Sequence, residues 1–144
     1  MKAYFDSAII AKLYVQEVNS DDAISLLKSY PPPTVFTALH ESEIKNAIRL
    51  KCCRKEISQT SMALSLKALD VDAKAGVLHR TQVEWPAVFR RLDELSERFA
   101  LVTNCRTLDA MHVACAIVLG VEEFVTFDQR QRDLAKRAGM KVKS

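Results

Sequence analysis

Four carboxylates stand close to the point where a hydrophobic stretch stops. Asp6 follows "AYF" and Asp128 follows "FVTF". Glu43 lies about one turn into the helical segment after "TVFT", and Asp109 lies in the first turn of the segment that begins at Thr107. Gathered carboxylates repel one another and take up protons unless cations balance them. Hard oxygen donors match Mg²⁺ or Mn²⁺, and two such ions would balance about four negative charges. The chemistry suited to that arrangement is phosphodiester hydrolysis, in which a metal lowers the pKa of water and stabilises the leaving oxygen.

Neighbouring residues help to choose among competing acids. Glu41 precedes Lys45 by four positions, the favourable order for a surface pair. Glu43 shares a helical stripe with Leu39, Ala47 and Leu50, where an acid is costly to bury without compensation. Each site candidate also has an ordinary local role. Asp128 with Gln131 resembles a capping box. Asp6 suits the N-cap of a helix from Ser7, and Asp109 complements a helix dipole. No single acid is specific, and the ordered set carries the weight.

Other residues are less telling. His112 shares a face with Asp109 and is assigned to packing or to a hydrogen bond behind the site. His40 and His79 have no evident partner. Ser7 and Thr126 flank acids and suit either a hydrogen bond to a ligand carboxylate or turn duty. Asp70 and Asp72 fall near a helix end and read as solvated. Lys45, Arg49, Lys51, Arg54 and Lys55 surround one helix, and Arg130 and Arg132 follow Asp128. Basic groups near the site would hold a phosphate backbone, although a solvated face is the commoner explanation of such a run.

The elements that must position these acids are short strands alternating with helices. Strands are predicted at 2–5, 34–37, at "GVLHR", at "FVTF" and at "MKV". Helices are predicted from Ser7, after an N-cap at Ser20, over 39–53 and 59–73, at "PAVFRRLDELSERFA", after an N-cap at Thr107, and from Asp128 to Gly139. This alternation argues for an α/β fold with a central parallel sheet covered on both faces, whose ligands bind beyond the carboxyl ends of the strands. The length of 144 residues fits a single domain spanning 1–144. A net charge of +3 permits a nucleic-acid partner without arguing for one. No run reads as a signal peptide or a membrane span. The four cysteines form no C-x-x-C pair and read as reduced, mostly buried thiols of a cytoplasmic protein.

The ordered acids resemble the PIN-domain family and, within it, the VapC-like toxin ribonucleases. "YFDSAIIAKLY" is similar to the family's opening strand, acid and helix. "TALHESEIKNAIRL" places Glu43 at the family's glutamate. "TLDAMHVACAIVLG" is led by Asp109 and "FVTFDQRQRDLAKRAGMKV" by Asp128. The resemblance implies a three-layer α/β/α fold and a Mg²⁺- or Mn²⁺-dependent endoribonuclease with Asp6, Glu43, Asp109 and Asp128 as its metal ligands. It implies RNA products with 5′-phosphate and 3′-hydroxyl ends, a cognate antitoxin that occludes the site, and a homodimer. The alternative is a non-catalytic module on the same fold that binds RNA or protein, with the acids as structural caps. Between Arg54 and Val102 the resemblance is only general.

Overall fold

The structure is a computed structural model that describes residues 2–143. Its elements are β1 (Ala3–Phe5), α1 (Ser7–Ala11), α2 (Ser20–Lys28), β2 (Thr34–Phe36), α3 (Ala38–Cys53), α4 (Gln59–Ala75), β3 (Leu78–Arg80), α5 (Trp85–Thr103), α6 (Thr107–Val118), β4 (Glu123–Val125), α7 (Gln129–Arg137) and β5 (Lys141–Lys143). The chain forms two compact units. One runs up to Asp6 and resumes at Gln82, and the other is Ser7–Thr81.

The first unit is built on a three-stranded sheet of order β1-β4-β5, with both ladders parallel. Tyr4 pairs with Phe124, and Phe124 in turn pairs with Val142. All of β1 is buried, as are Phe124 and Val125 at the centre of the sheet. Helix α6 is buried continuously from Ala110 to Ala116, as a helix apolar nearly all round must be. Helix α5 is amphipathic as expected, with Val88, Leu92 and Leu95 in the core and Pro86 in the first turn, where its missing N–H costs nothing.

The second unit holds the parallel pair β2-β3, in which Val35 lies opposite His79. Helix α3 begins with a reciprocal cap. Thr37 Oγ1 accepts from the His40 backbone N–H, and the Thr37 N–H donates to His40 Nδ1 at 3.0 Å. His40, which had no evident partner in the sequence, is therefore the buried half of a capping box. The buried stripe of α3 is His40, Ile44 and Ile48. Ala47 and Leu50 are exposed, so the apolar stripe expected to carry Glu43 is not the buried one.

Other expectations shift by a residue or more. Ser20 is the first helical residue and not the cap. The cap position belongs to Asn19 in the left-handed region (φ 68°), and Ser20 Oγ accepts from the Glu17 N–H. Arg106, not Thr107, occupies the cap position of α6. The helix predicted from Ser7 is short and ends at Ala11. Tertiary contacts take over there: the Tyr14 hydroxyl donates to Asp72 at 2.6 Å, and the Tyr14 carbonyl accepts from Ser65 Oγ at 2.7 Å. Asp72 thus has a specific partner, and Asp70 pairs with Lys45 at 3.5 Å, so neither is merely solvated. All four thiols are free, but only Cys115 is buried, and Cys53 is exposed where a buried thiol was expected. Among the described residues no helix is long and apolar enough to cross a membrane.

Candidate active site

Asp6, Asp109 and Asp128 all belong to the first unit, each at the end or start of an element. Asp6 follows β1, and its backbone N–H extends the ladder by donating to the Val125 carbonyl at 3.0 Å. Asp109 lies in the first turn of α6 and is half-buried. Asp128 caps α7, with Oδ1 accepting the Gln131 N–H at 2.8 Å, and is exposed. Asp6 itself is buried.

One side chain joins all three segments. The Nε2 of Gln131 donates to Asp6 Oδ1 at 3.2 Å and to the Asp109 carbonyl at 3.0 Å. Its Oε1 accepts from Thr126 Oγ1 at 2.6 Å, and Thr126 Oγ1 accepts the Asp128 N–H at 3.0 Å. The capping box expected of Asp128 and Gln131 is therefore only half made. The cap bond to the Gln131 N–H is present, but the reciprocal bond comes from Thr126, and the Gln131 side chain turns inward. Sequence reasoning assigned Gln131 no part in the site. Its partners lie 22 and 125 positions away, so only the tertiary fold reveals the role.

The acids also share a field. Burial first, then the charges of Asp109, Asp128 and Asp6, push the Cys105 thiol up to about 12, while Arg130 pulls it down. Asp109 and Asp128 line one cavity of about 360 Å³ together with Arg106, Gln129 and Arg130. A second cavity of about 260 Å³ is framed mostly by apolar residues of α5, α6 and α7 and by Cys105, and none of the four acids lines it.

Beneath the acids runs a buried polar contact. Tyr4, two residues before Asp6, has its hydroxyl 2.6 Å from Nδ1 of His112, three residues after Asp109. Its ring stacks on Phe124, with centroids 5.5 Å apart. His112 is fully buried and packs behind the acids, as its position on α6 suggested.

Glu43 belongs to the second unit. It is half-buried on α3, and Ser7 Oγ donates to its Oε1 at 2.9 Å. The neighbouring Glu41 has the surface role expected, 3.8 Å from Lys45 and 2.6 Å from Arg80. Of the basic run on α3, Lys45 and Lys51 are engaged in ion pairs, Lys45 with Glu41 and Asp70 and Lys51 with Glu17 and Glu56.

Among the described residues, no three His, Cys, Asp or Glu side chains are gathered into a ready-made metal shell. The donor chemistry nonetheless fits a hard divalent cation: Asp6, Asp109 and Asp128 offer oxygen alone, and Asp6 is held by a neutral amide that supplies no competing positive charge.

Comparison with known proteins agrees with this architecture. The PIN domain family matches residues 3–137. The chain is 33% identical over 141 residues to Ribonuclease VapC46 of Mycobacterium tuberculosis, covering 96% of this chain and 94% of that protein. In fold it is similar to a chain of FitAcB from Neisseria gonorrhoeae, with a TM-score of 0.66 at 13% identity, covering 99% of this chain and 96% of that one. It is similar also to Mycobacterium tuberculosis VapC20, a Sarcin-Ricin loop cleaving toxin, with a TM-score of 0.63 at 16% identity and 96% of each chain covered. A match over nearly the whole length, with the acids at the ends of parallel strands and starts of helices, means that this chain belongs to the PIN-domain family.

Proposed function

We propose that this protein is a Mg²⁺- or Mn²⁺-dependent endoribonuclease, the toxin of a toxin–antitoxin pair acting in the cytoplasm. The observation that carries the reading is the convergence of the Asp6, Asp109 and Asp128 segments on Gln131, with two of those acids lining a cavity beside two arginines. Family membership and the 33% identity to a protein named as a ribonuclease supply the choice of RNA as substrate.

Asp6, Asp109 and Asp128 supply the carboxylate oxygens that hold the cation. Glu43 is the fourth ligand by the resemblance of its segment; Ser7, the residue next to Asp6 in the chain, donates to it. A bound cation contributes Lewis acidity toward the scissile phosphate and lowers the pKa of water. Arg106 and Arg130 receive backbone phosphates beside the acids, where a guanidinium matches phosphate geometry. The cognate antitoxin and the homodimer implied by the family resemblance belong to the same reading.

The experiment is cleavage of a synthetic RNA by the purified protein with Mg²⁺ or Mn²⁺, with excess EDTA, and with Asp6→Ala and Asp109→Ala. Cleavage should need the metal and both acids. Full activity in EDTA excludes the metal role, and intact cleavage by both variants excludes the site.

A further inference from the structure

We propose that Gln131 is a positioning residue whose side-chain amide ties the Asp6 carboxylate to the backbone of Asp109 and to Thr126 beside Asp128, and thereby sets the affinity of the site for a divalent cation. The proposal rests on reading those aspartates as a cation site. It concerns a residue that contributes no ligand of its own.

The amide is fully buried at the start of α7, on the same helix face as the apolar Leu134 and Ala135. Burying a primary amide is costly unless its hydrogen bonds are made, and an apolar side chain would pack there without that cost. The cap of α7 does not require it, because the cap bond uses the backbone N–H of residue 131, which any residue except proline supplies. The side chain is thus not explained by packing or by capping.

Its hydrogen bonds show what it does. The two Nε2 protons go to Asp6 Oδ1 and the Asp109 carbonyl, and Oε1 takes the Thr126 hydroxyl. The orientation is chemically determined. Turned over, the amide would set Oε1 against a carboxylate and a carbonyl, two acceptors, with no proton between them. The result is a fixed bracket between the end of β1, the first turn of α6 and the cap of α7.

Neutrality matters as much as geometry. A lysine or arginine here would hold Asp6 equally well, but would supply the positive charge that a cation must bring. A glutamate would add a fourth negative charge to the cluster. An amide orients the carboxylate and leaves its charge in place, as supporting groups around metal ligands do.

The test uses Gln131→Met, which keeps length and removes every polar contact of the side chain. Mn²⁺ binding to the full chain is measured by calorimetry, beside thermal unfolding without metal and RNA cleavage across a Mn²⁺ series. Gln131→Met should bind Mn²⁺ about tenfold or more weakly. Its cleavage should recover to within a few-fold of the parent once Mn²⁺ saturates. A folded Gln131→Met with Mn²⁺ affinity within twofold of the parent overturns the proposal. Should Gln131→Met not fold, Thr126→Val decides, since it removes the hydroxyl that anchors Oε1 and leaves the amide held at Nε2 alone; unchanged Mn²⁺ affinity there overturns it equally. Asp109→Asn separates the two readings. If the parent binds no Mn²⁺, or Asp109→Asn binds it as the parent does, the cation site falls and the proposal with it. If Asp109→Asn loses binding and Gln131→Met does not, only the role of Gln131 falls.

Discussion

Nε2 of Gln131 lies 3.2 Å from Oδ1 of Asp6, although 125 positions separate the two residues in the chain. The contact links the carboxyl end of β1 to the first turn of α7. It bears on how Asp128, Asp6 and their supporting residues respond to substitution.

Asp128 has two separable roles, a cap for α7 and an anionic oxygen donor. Asp128→Ala should lower unfolding stability by about 1 kcal/mol, the usual value of an N-cap, while Asp128→Asn should stay within about 0.5 kcal/mol of the parent. RNA cleavage should fall in both variants alike. Chemical denaturation and initial cleavage rates measured on the same preparations check this. Cleavage that follows stability, retained in Asp128→Asn and lost in Asp128→Ala, would reduce Asp128 to a cap.

Asp6→Asn keeps the shape of a buried side chain and removes its charge. Cleavage at saturating Mg²⁺ should drop about 100-fold or more, corresponding to a few kcal/mol of transition-state stabilisation. The fold should survive. Mg²⁺ should raise the melting temperature of the parent and leave that of Asp6→Asn unmoved, because only a ligand that binds the native state stabilises it.

Tyr4→Phe removes the hydroxyl that lies 2.6 Å from His112 Nδ1 in the core behind the acids. Breaking a buried hydrogen bond in this way should cost about 1–3 kcal/mol. Urea unfolding should show a lower midpoint with an unchanged slope. An unchanged midpoint would mean that the contact contributes nothing to stability.

Cys105 reports on the acids through its thiol. Burial and the charges of Asp109, Asp128 and Asp6 raise its pKa to about 12, above the ordinary thiol value of about 8.5. The folded state therefore holds this proton more tightly than the unfolded chain does. The stability linked to it is complete below the ordinary thiol pKa and is lost as pH climbs from there toward 12. Cys105→Ala should flatten the decline in melting temperature above about pH 8.5. In a Cys52→Ser, Cys53→Ser background, iodoacetamide should modify Cys105 slowly. Mg²⁺ should speed that reaction by screening the carboxylates, and an unaltered rate would place the cation elsewhere.

Asp6 and Asp128 stood out in the sequence because each directly follows a short strand-like apolar run. "AYF" ending at Asp6 and "FVTF" ending at Asp128 announce a strand and what lies beyond it. Position along a helix was less legible. Arg106 occupies the cap position of α6 in extended conformation (ψ 157°) where Thr107 was the chemically favoured candidate, and Asn19 occupies that of α2, in the left-handed region, in place of Ser20. A one-residue shift of this kind costs little and leaves no strong pattern in composition. Glu43 was chosen over Glu41 from a stripe through Ala47 and Leu50, which is exposed, while the buried stripe runs through Ile44 and Ile48. Gln131 was read locally, as half of a capping box. Its side chain instead answers to residues brought near only by the sheet, which no local window contains.

The pairing of β1 with β4 joins residues 3–5 to residues 123–125. During synthesis the first of these leaves the ribosome long before the second is made. Until β4 and α7 emerge, β1 lacks its pairing with β4, and Asp6 lacks its bonds to the Val125 carbonyl and the Gln131 amide. Contacts of such long sequence separation form late, once the chain that lies between them is available. On the proposed reading, a cation site that draws on both β1 and α7 is incomplete until α7 has been made.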